Sequence, residues 1–129
     1  MESKITFDVD AAILTTAGDA TLEGFRQGIQ ALVDEPRFRS GMPILVDHRS
    51  LDVSGMSAND VRAVGDFTAS FSDRIGPSRV AIVVPDTLTF GFVRMGETQA
   101  DLAQLSLRIF YSFPEAVEWL RSEPLAGGE

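Results

Sequence analysis

The chain has 129 residues, no cysteine, and a formal charge of −8 from nineteen acidic and eleven basic side chains. A domain of this length hides roughly two-thirds of its unfolded surface without covalent staples, and the missing thiols exclude disulfides, thiolate metal sites and cysteine nucleophiles. The acidity keeps a small domain soluble and repels phosphate backbones, so nucleic acid is not an expected partner, whereas a basic protein surface remains open.

The longest unbroken apolar run is Val80 to Val84, far short of the ~20 residues a membrane-spanning helix needs. Met1-Glu2-Ser3-Lys4 lacks the pattern of a secretory signal. Neither membrane insertion nor export is expected, and the cytoplasm is the default compartment.

Lys4 to Val9 alternates Ile5, Phe7 and Val9 with polar neighbours, and Ala12 to Thr16 is a second short strand, with Asp10-Ala11 as a hairpin turn between them. Gly18-Asp19 breaks that strand. Leu22, Phe25, Ile29, Leu32 and Val33 then recur at helical spacing to about Asp34, behind a capping residue at Asp19 or Thr21. Pro36 to Gly41 is a loop, and Pro43 to Asp47 is a continuous apolar run of the kind found in strands covered on both faces.

A loop is expected from His48 to Met56. Ser57-Ala58-Asn59-Asp60 has capping-box spacing, and Val61, Val64, Phe67 and Phe71 line one face of a second helix ending near Arg74. Gly76-Pro77 terminates it, and Arg79 to Val84 is another buried strand, stopped by Pro85-Asp86. Leu88, Phe92, Met95, Gln99 and Leu102 form the expected core stripe of a third helix, whose Gly91 and Gly96 call for close backbone packing. Ser106 to Tyr111 is the last strand, and Ser112 to Glu115 caps a terminal helix with Pro114 in its first turn.

The order ββαβαβαβα is satisfied by a single mixed, mostly parallel sheet flanked by helices, with an antiparallel hairpin at one side. Residues 1–122 form the expected domain, and 123–129 the expected flexible tail.

In such sheets ligands gather at the carboxyl ends of strands. That draws attention to Asp47, His48 and Arg49, to the Ser50 to Ser57 segment, and to Asp86. His48 is the single histidine, and a hydrolase-type use of it with Ser54 or Ser57 has no Gly-x-Ser-x-Gly motif behind it. Asp47, Asp52 and Asp86 are better read as turn caps than as ligands of a hard cation, and no metal or other cofactor is expected. Ser54 and Ser57 lie where free N–H groups at the start of the second helix would favour an added phosphate, and capping is their plainer use. Phe67, Phe71, Phe90, Phe92 and Met95 supply large apolar side chains for core or pocket, and Arg94 lies one turn beyond Phe90.

Val46-Asp47-His48-Arg49, the Arg79 to Val84 strand, Phe90-Gly91-Phe92-Val93-Arg94-Met95, Ile109-Phe110 and the Glu115 to Leu120 segment together resemble the SpoIIAA-like family, over Ile5 to Leu120. That family is related to the STAS domains of anti-sigma-factor antagonists, and its fold is also compared with the lipid-binding CRAL-TRIO domains. The STAS resemblance implies a serine switch: Asp52-Val53-Ser54-Gly55 is similar to the antagonists' Asp-Ser-Ser-Gly, with Val53 in place of the first serine and Ser54 as the residue carried over. The CRAL-TRIO resemblance implies an apolar ligand. Those domains are much longer than this chain, so a shallow groove or an exposed apolar patch is expected rather than a lipid-sized cavity.

The expectation is therefore a non-catalytic binding or regulatory domain for a protein partner or a small apolar, lipid-like ligand. Asp47, His48, Arg49, Met56, Phe67, Phe71, Phe90 and Arg94 are its contact residues. A phospho-regulated antagonist using Ser54 or Ser57 is the alternative. A homodimer is favoured over a monomer by the N-terminal edge strand and the surplus aromatic residues.

Overall fold

A computed structural model describes residues 1–8, 10–99 and 105–122, with residues 97–99 as backbone only. The expected tail 123–129 lies outside the described residues, as do Val9 and Leu102. The elements are β1 (Glu2–Asp8), β2 (Ala11–Asp19), α1 (Leu22–Asp34), β3 (Ile44–Asp52), α2 (Ala58–Ala69), α3 (Ser72–Ile75), β4 (Ser78–Val83), α4 (Thr87–Gln99), β5 (Leu105–Phe110) and α5 (Phe113–Arg121).

The five strands lie in one sheet in sequence order, β1 antiparallel to β2 and every later pair parallel. A chain that steps steadily across a sheet with right-handed crossovers places each crossover helix on the same face. Accordingly α1 packs on β1, β2 and α2, α2 packs on α4, and the other face is left to α5, which lies over β3, β4 and β5. The result is a mixed sheet covered by three helices on one side and by a single helix on the other.

The helix starts follow local chemistry. Thr21 rather than Asp19 caps α1, its hydroxyl accepting from Gly24 N at 2.9 Å. Ser57 and Asp60 close a reciprocal capping box on α2, both bonds 3.1 Å. Ser112 caps α5 with Pro114 behind it. Asp86 caps α4, one carboxylate oxygen accepting from both the N–H and the hydroxyl of Thr89.

Three expectations need correction. The segment from His48 is not a loop: β3 continues to Asp52, still paired with β2. The second helix ends at Ala69, and Ser72–Ile75 is a separate turn closed by Gly76 at φ 73°. The core stripe of α4 is displaced as well. Leu88 is 59% exposed and Met95 40%, while Thr89 and Val93 are buried with Phe92 half-covered beside them.

The main core fills the three-helix side, with Leu32, Val33, Ile44, Val80, Ile82 and Val93 among its members. A smaller one under α5 contains Leu45, Ala81, Val83, Phe110 and Ala116. Alternation along β3 and β4 supplies both, since successive side chains point to opposite faces. Two arginines fasten α5 to its face: Arg49 stacks over Phe113 at 4.5 Å, and Arg79 over Trp119 at 4.2 Å while donating to the Ser122 carbonyl.

Candidate functional site

Between the sheet and the layer of α1, α2 and α4 lies an apolar cavity of about 140 Å³. Leu14, Val46 and Leu107 form part of its floor, Val61, Val64, Gly65 and Thr68 of α2 one wall, and Phe92, Val93 and Gly96 of α4 another. The α2 residues recur at i, i+3, i+4 and i+7, so a single helical face presents them. Thr68 brings no free donor, because its hydroxyl is bonded to Val64 O at 2.8 Å. Gly96 of α4 lies beside Val61 of α2, and a Cβ there would make only ordinary contact, 3.6 Å from Val61 Cγ1, so the expected close backbone packing does not require glycine at this position. Gly91, by contrast, faces open space.

One ionisable side chain lines this cavity among the described residues, His48, which is only 5% exposed. Its Nδ1 lies 2.7 Å from Thr16 Oγ1, and that hydroxyl also donates to Asp47 O at 3.2 Å. Phe25 meets the imidazole edge-on and stacks in turn on Phe92. Burial pushes the imidazole pKa down to about 4 against a weaker opposing pull from the Asp47 charge, so the ring is neutral at pH 7.

The position of His48 depends on a β-bulge. Thr15 pairs with Asp47 but Ala17 pairs with Ser50, so His48 and Arg49 together oppose Thr16. Before the bulge Ile44, Val46 and His48 face the three-helix side. The extra residue reverses the parity, and Leu51 and Val53 take over that face, packing with Phe25 and Met56.

The structure divides the consecutive residues Asp47, His48 and Arg49. His48 faces the cavity, whereas Asp47 and Arg49 lie on the α5 side, joined by two 2.9 Å hydrogen bonds, with Arg49 N donating to Asp47 Oδ1 as well. Burial pushes the Asp47 carboxyl up, but the Arg49 hydrogen bonds and charge outweigh it and hold the group below its usual value. That carboxylate is therefore committed to Arg49, and the imidazole bonds to a hydroxyl instead.

The other expected contact residues are dispersed. Phe67 of α2 and Phe71, just before α3, form an edge-to-face pair outside the cavity, with Arg26 against Phe67. Phe90 stacks on Tyr111, and Arg94 is exposed on the outer side of α4. Ser57 is engaged as the α2 cap; exposed Ser54 donates its N–H to Asp52 Oδ1 at 2.9 Å. Asp52 and Asp86 are each held below their usual pKa by local bonds, from Ser54 and Thr89 respectively, the latter against a weaker upward push from the Asp52 charge. No helix among the described residues is long and apolar enough to cross a membrane.

Thr16, Phe25, Val46, Gly65 and Thr68 belong to the candidate site without being among the contact residues expected from the sequence. One signal was present for Thr16: it continues the inward alternation of Ala12 and Leu14, which makes it a polar residue on a buried face.

No protein-family model matches the chain, and no curated protein matches it. Among solved structures it is similar to an uncharacterised protein of the DUF3478 family with a SpoIIAA-like fold from Shewanella loihica PV-4, with a TM-score of 0.57 and 19% identity over 92% of each chain. At that identity the likeness concerns architecture, and the chain has the SpoIIAA-like α/β fold.

Proposed function

We propose that this domain is a non-catalytic binding module that takes a compact apolar molecule into the cavity between its sheet and its three-helix layer. The observation behind this reading is the cavity itself: about 140 Å³, walled by aliphatic and aromatic side chains. Apolar cavities of about this size in other proteins stay dry and admit benzene or xenon. A drug-sized site needs roughly 300 Å³ or more, so the ligand is a single small ring or a short branched chain rather than a whole lipid. This narrows the lipid-like expectation to a compact apolar ligand.

The test is calorimetric titration with benzene, alongside a Val64→Phe variant whose larger side chain enters the cavity. Saturable uptake by the parent and none by the folded variant supports the reading. Equal behaviour of the two overturns it.

A protein-partner reading is favoured by the exposed apolar side chains of Leu88 and Tyr111, at 59% and 54%. Crosslinking in the native host, compared with a Leu88→Asp variant, tests it. The serine-switch reading is less well supported, because phosphate on Ser54 would be repelled by the adjacent Asp52 carboxylate and Ser57 Oγ already holds Asp60 N.

A further inference from the structure

The single polar contact of the His48 side chain among the described residues is the one to Thr16. Thr16 Oγ1 has one proton. Its two contacts, to Asp47 O at 3.2 Å and to His48 Nδ1 at 2.7 Å, are both hydrogen bonds only if the proton goes to the carbonyl and the imidazole donates from Nδ1. That tautomer leaves Nε2 with a free lone pair, on a side chain that is 5% exposed and lines an otherwise apolar cavity. A buried acceptor without a partner is unfavourable, and a ligand that donates to it removes the penalty.

We propose that Nε2 of His48 is the polar anchor of the cavity and that the site selects a compact neutral molecule with an apolar body and one hydrogen-bond donor, of the phenol class. This rests on the binding reading above and adds the chemistry of the ligand. The Nδ1–H to Thr16 bond fixes the ring, the Phe25 edge holds its plane, and Phe92 and Val64 receive the apolar part. Anions are excluded, because no cation lines the cavity among the described residues. Arg49 is turned to the opposite face of the sheet.

Because His48 is the only histidine, histidine labelled with ¹⁵N gives one imidazole spin system, and its two nitrogen shifts report the tautomer without interference. The full-length protein at pH 7 is titrated separately with benzene and phenol. The expected result is a pyrrole-type Nδ1 and a pyridine-type Nε2 in the free protein, with Nε2 shifting on phenol and not on benzene. In His48→Phe, the affinity for phenol relative to that for benzene falls by about tenfold or more, because the phenol hydroxyl is buried without a partner. Should that variant not fold, the wild-type nitrogen shifts decide alone.

A free protein with the proton on Nε2 overturns the proposal. So does phenol binding that leaves Nε2 unmoved, which would mean that water holds the lone pair; in both cases benzene uptake leaves the cavity reading standing. If neither benzene nor phenol binds, the binding reading and this one fall together.

Discussion

Thr16 and His48 face each other across β2 and β3 at the one place where the two strands lose register, Oγ1 lying 2.7 Å from Nδ1. The hydroxyl therefore serves two groups, the ring and the Asp47 carbonyl. Thr16→Val keeps the shape and removes both bonds, leaving the buried His48 Nδ1 without its hydroxyl partner. The expected loss is about 1–3 kcal/mol in urea denaturation. Thr16→Ser, which keeps the hydroxyl and drops one methyl, should lose about 1 kcal/mol. Equal stability of Thr16→Val and the parent would show that the bonds contribute nothing.

The imidazole also sets a pH dependence. Its pKa falls from 6.5 unfolded to about 4 folded, so below pH 6.5 the unfolded chain binds a proton that the folded one refuses. Stability is full above pH 6.5 and declines as pH falls towards 4, by about 3 kcal/mol across that window. Asp47, whose carboxyl is depressed by Arg49, acts lower: its contribution is present above its ordinary value of 3.8 and is lost as pH falls through its folded value. Denaturation of parent and His48→Phe at several pH values separates the two. The variant should be flat between pH 6.5 and 4.5, and a decline equal to the parent's would assign the effect elsewhere.

Arg49→Met leaves the Asp47 carboxylate buried without its cation and removes the stacking on Phe113. A loss of about 2–3 kcal/mol is expected, reduced from the fully buried case because Arg49 is half exposed. The pair lies on the α5 face, so benzene uptake should be unchanged in the folded fraction. Weakened uptake would place Arg49 at the binding site after all.

Two glycines differ in sign. Gly91 lies within α4 with open space around it, and Gly91→Ala should stabilise by about 1 kcal/mol through helix propensity alone. Gly76 sits at φ 73° against Ser40, and Gly76→Ala should destabilise by 1 kcal/mol or more, about the usual size of such backbone strain. Thermal unfolding of both variants checks the pair, and a destabilised Gly91→Ala would show that this face of α4 is occupied.

The sequence made the architecture legible because its signals are local. Thr21, Ser57 with Asp60, and Ser112 begin helices through their own side-chain oxygens, and the unbroken runs Ile44 to Val46 and Val80 to Val84 mark strands covered on both faces. The second half of β3 was hidden because the bulge at His48 and Arg49 shifts the alternation by one residue, and Ser50 to Val53 then looks like a loop. The same event explains why Asp47, His48 and Arg49 looked like one cluster: neighbours along a strand face opposite ways, a fact that matters only once the strand is known to continue. In α4 the buried face lies one residue on from the expected stripe, since Leu88 and Met95 are as apolar as the buried Val93. The cavity had no sequence signal, because it is the space that Val64, Gly65, Thr68 and Gly96 fail to fill between correctly placed elements.

The most direct measurement is a crystal structure under xenon pressure. The account predicts a xenon atom between Val46, Val64 and Phe92, lost in Val64→Phe. A parent protein without xenon, its side chains closed over that space, would contradict it.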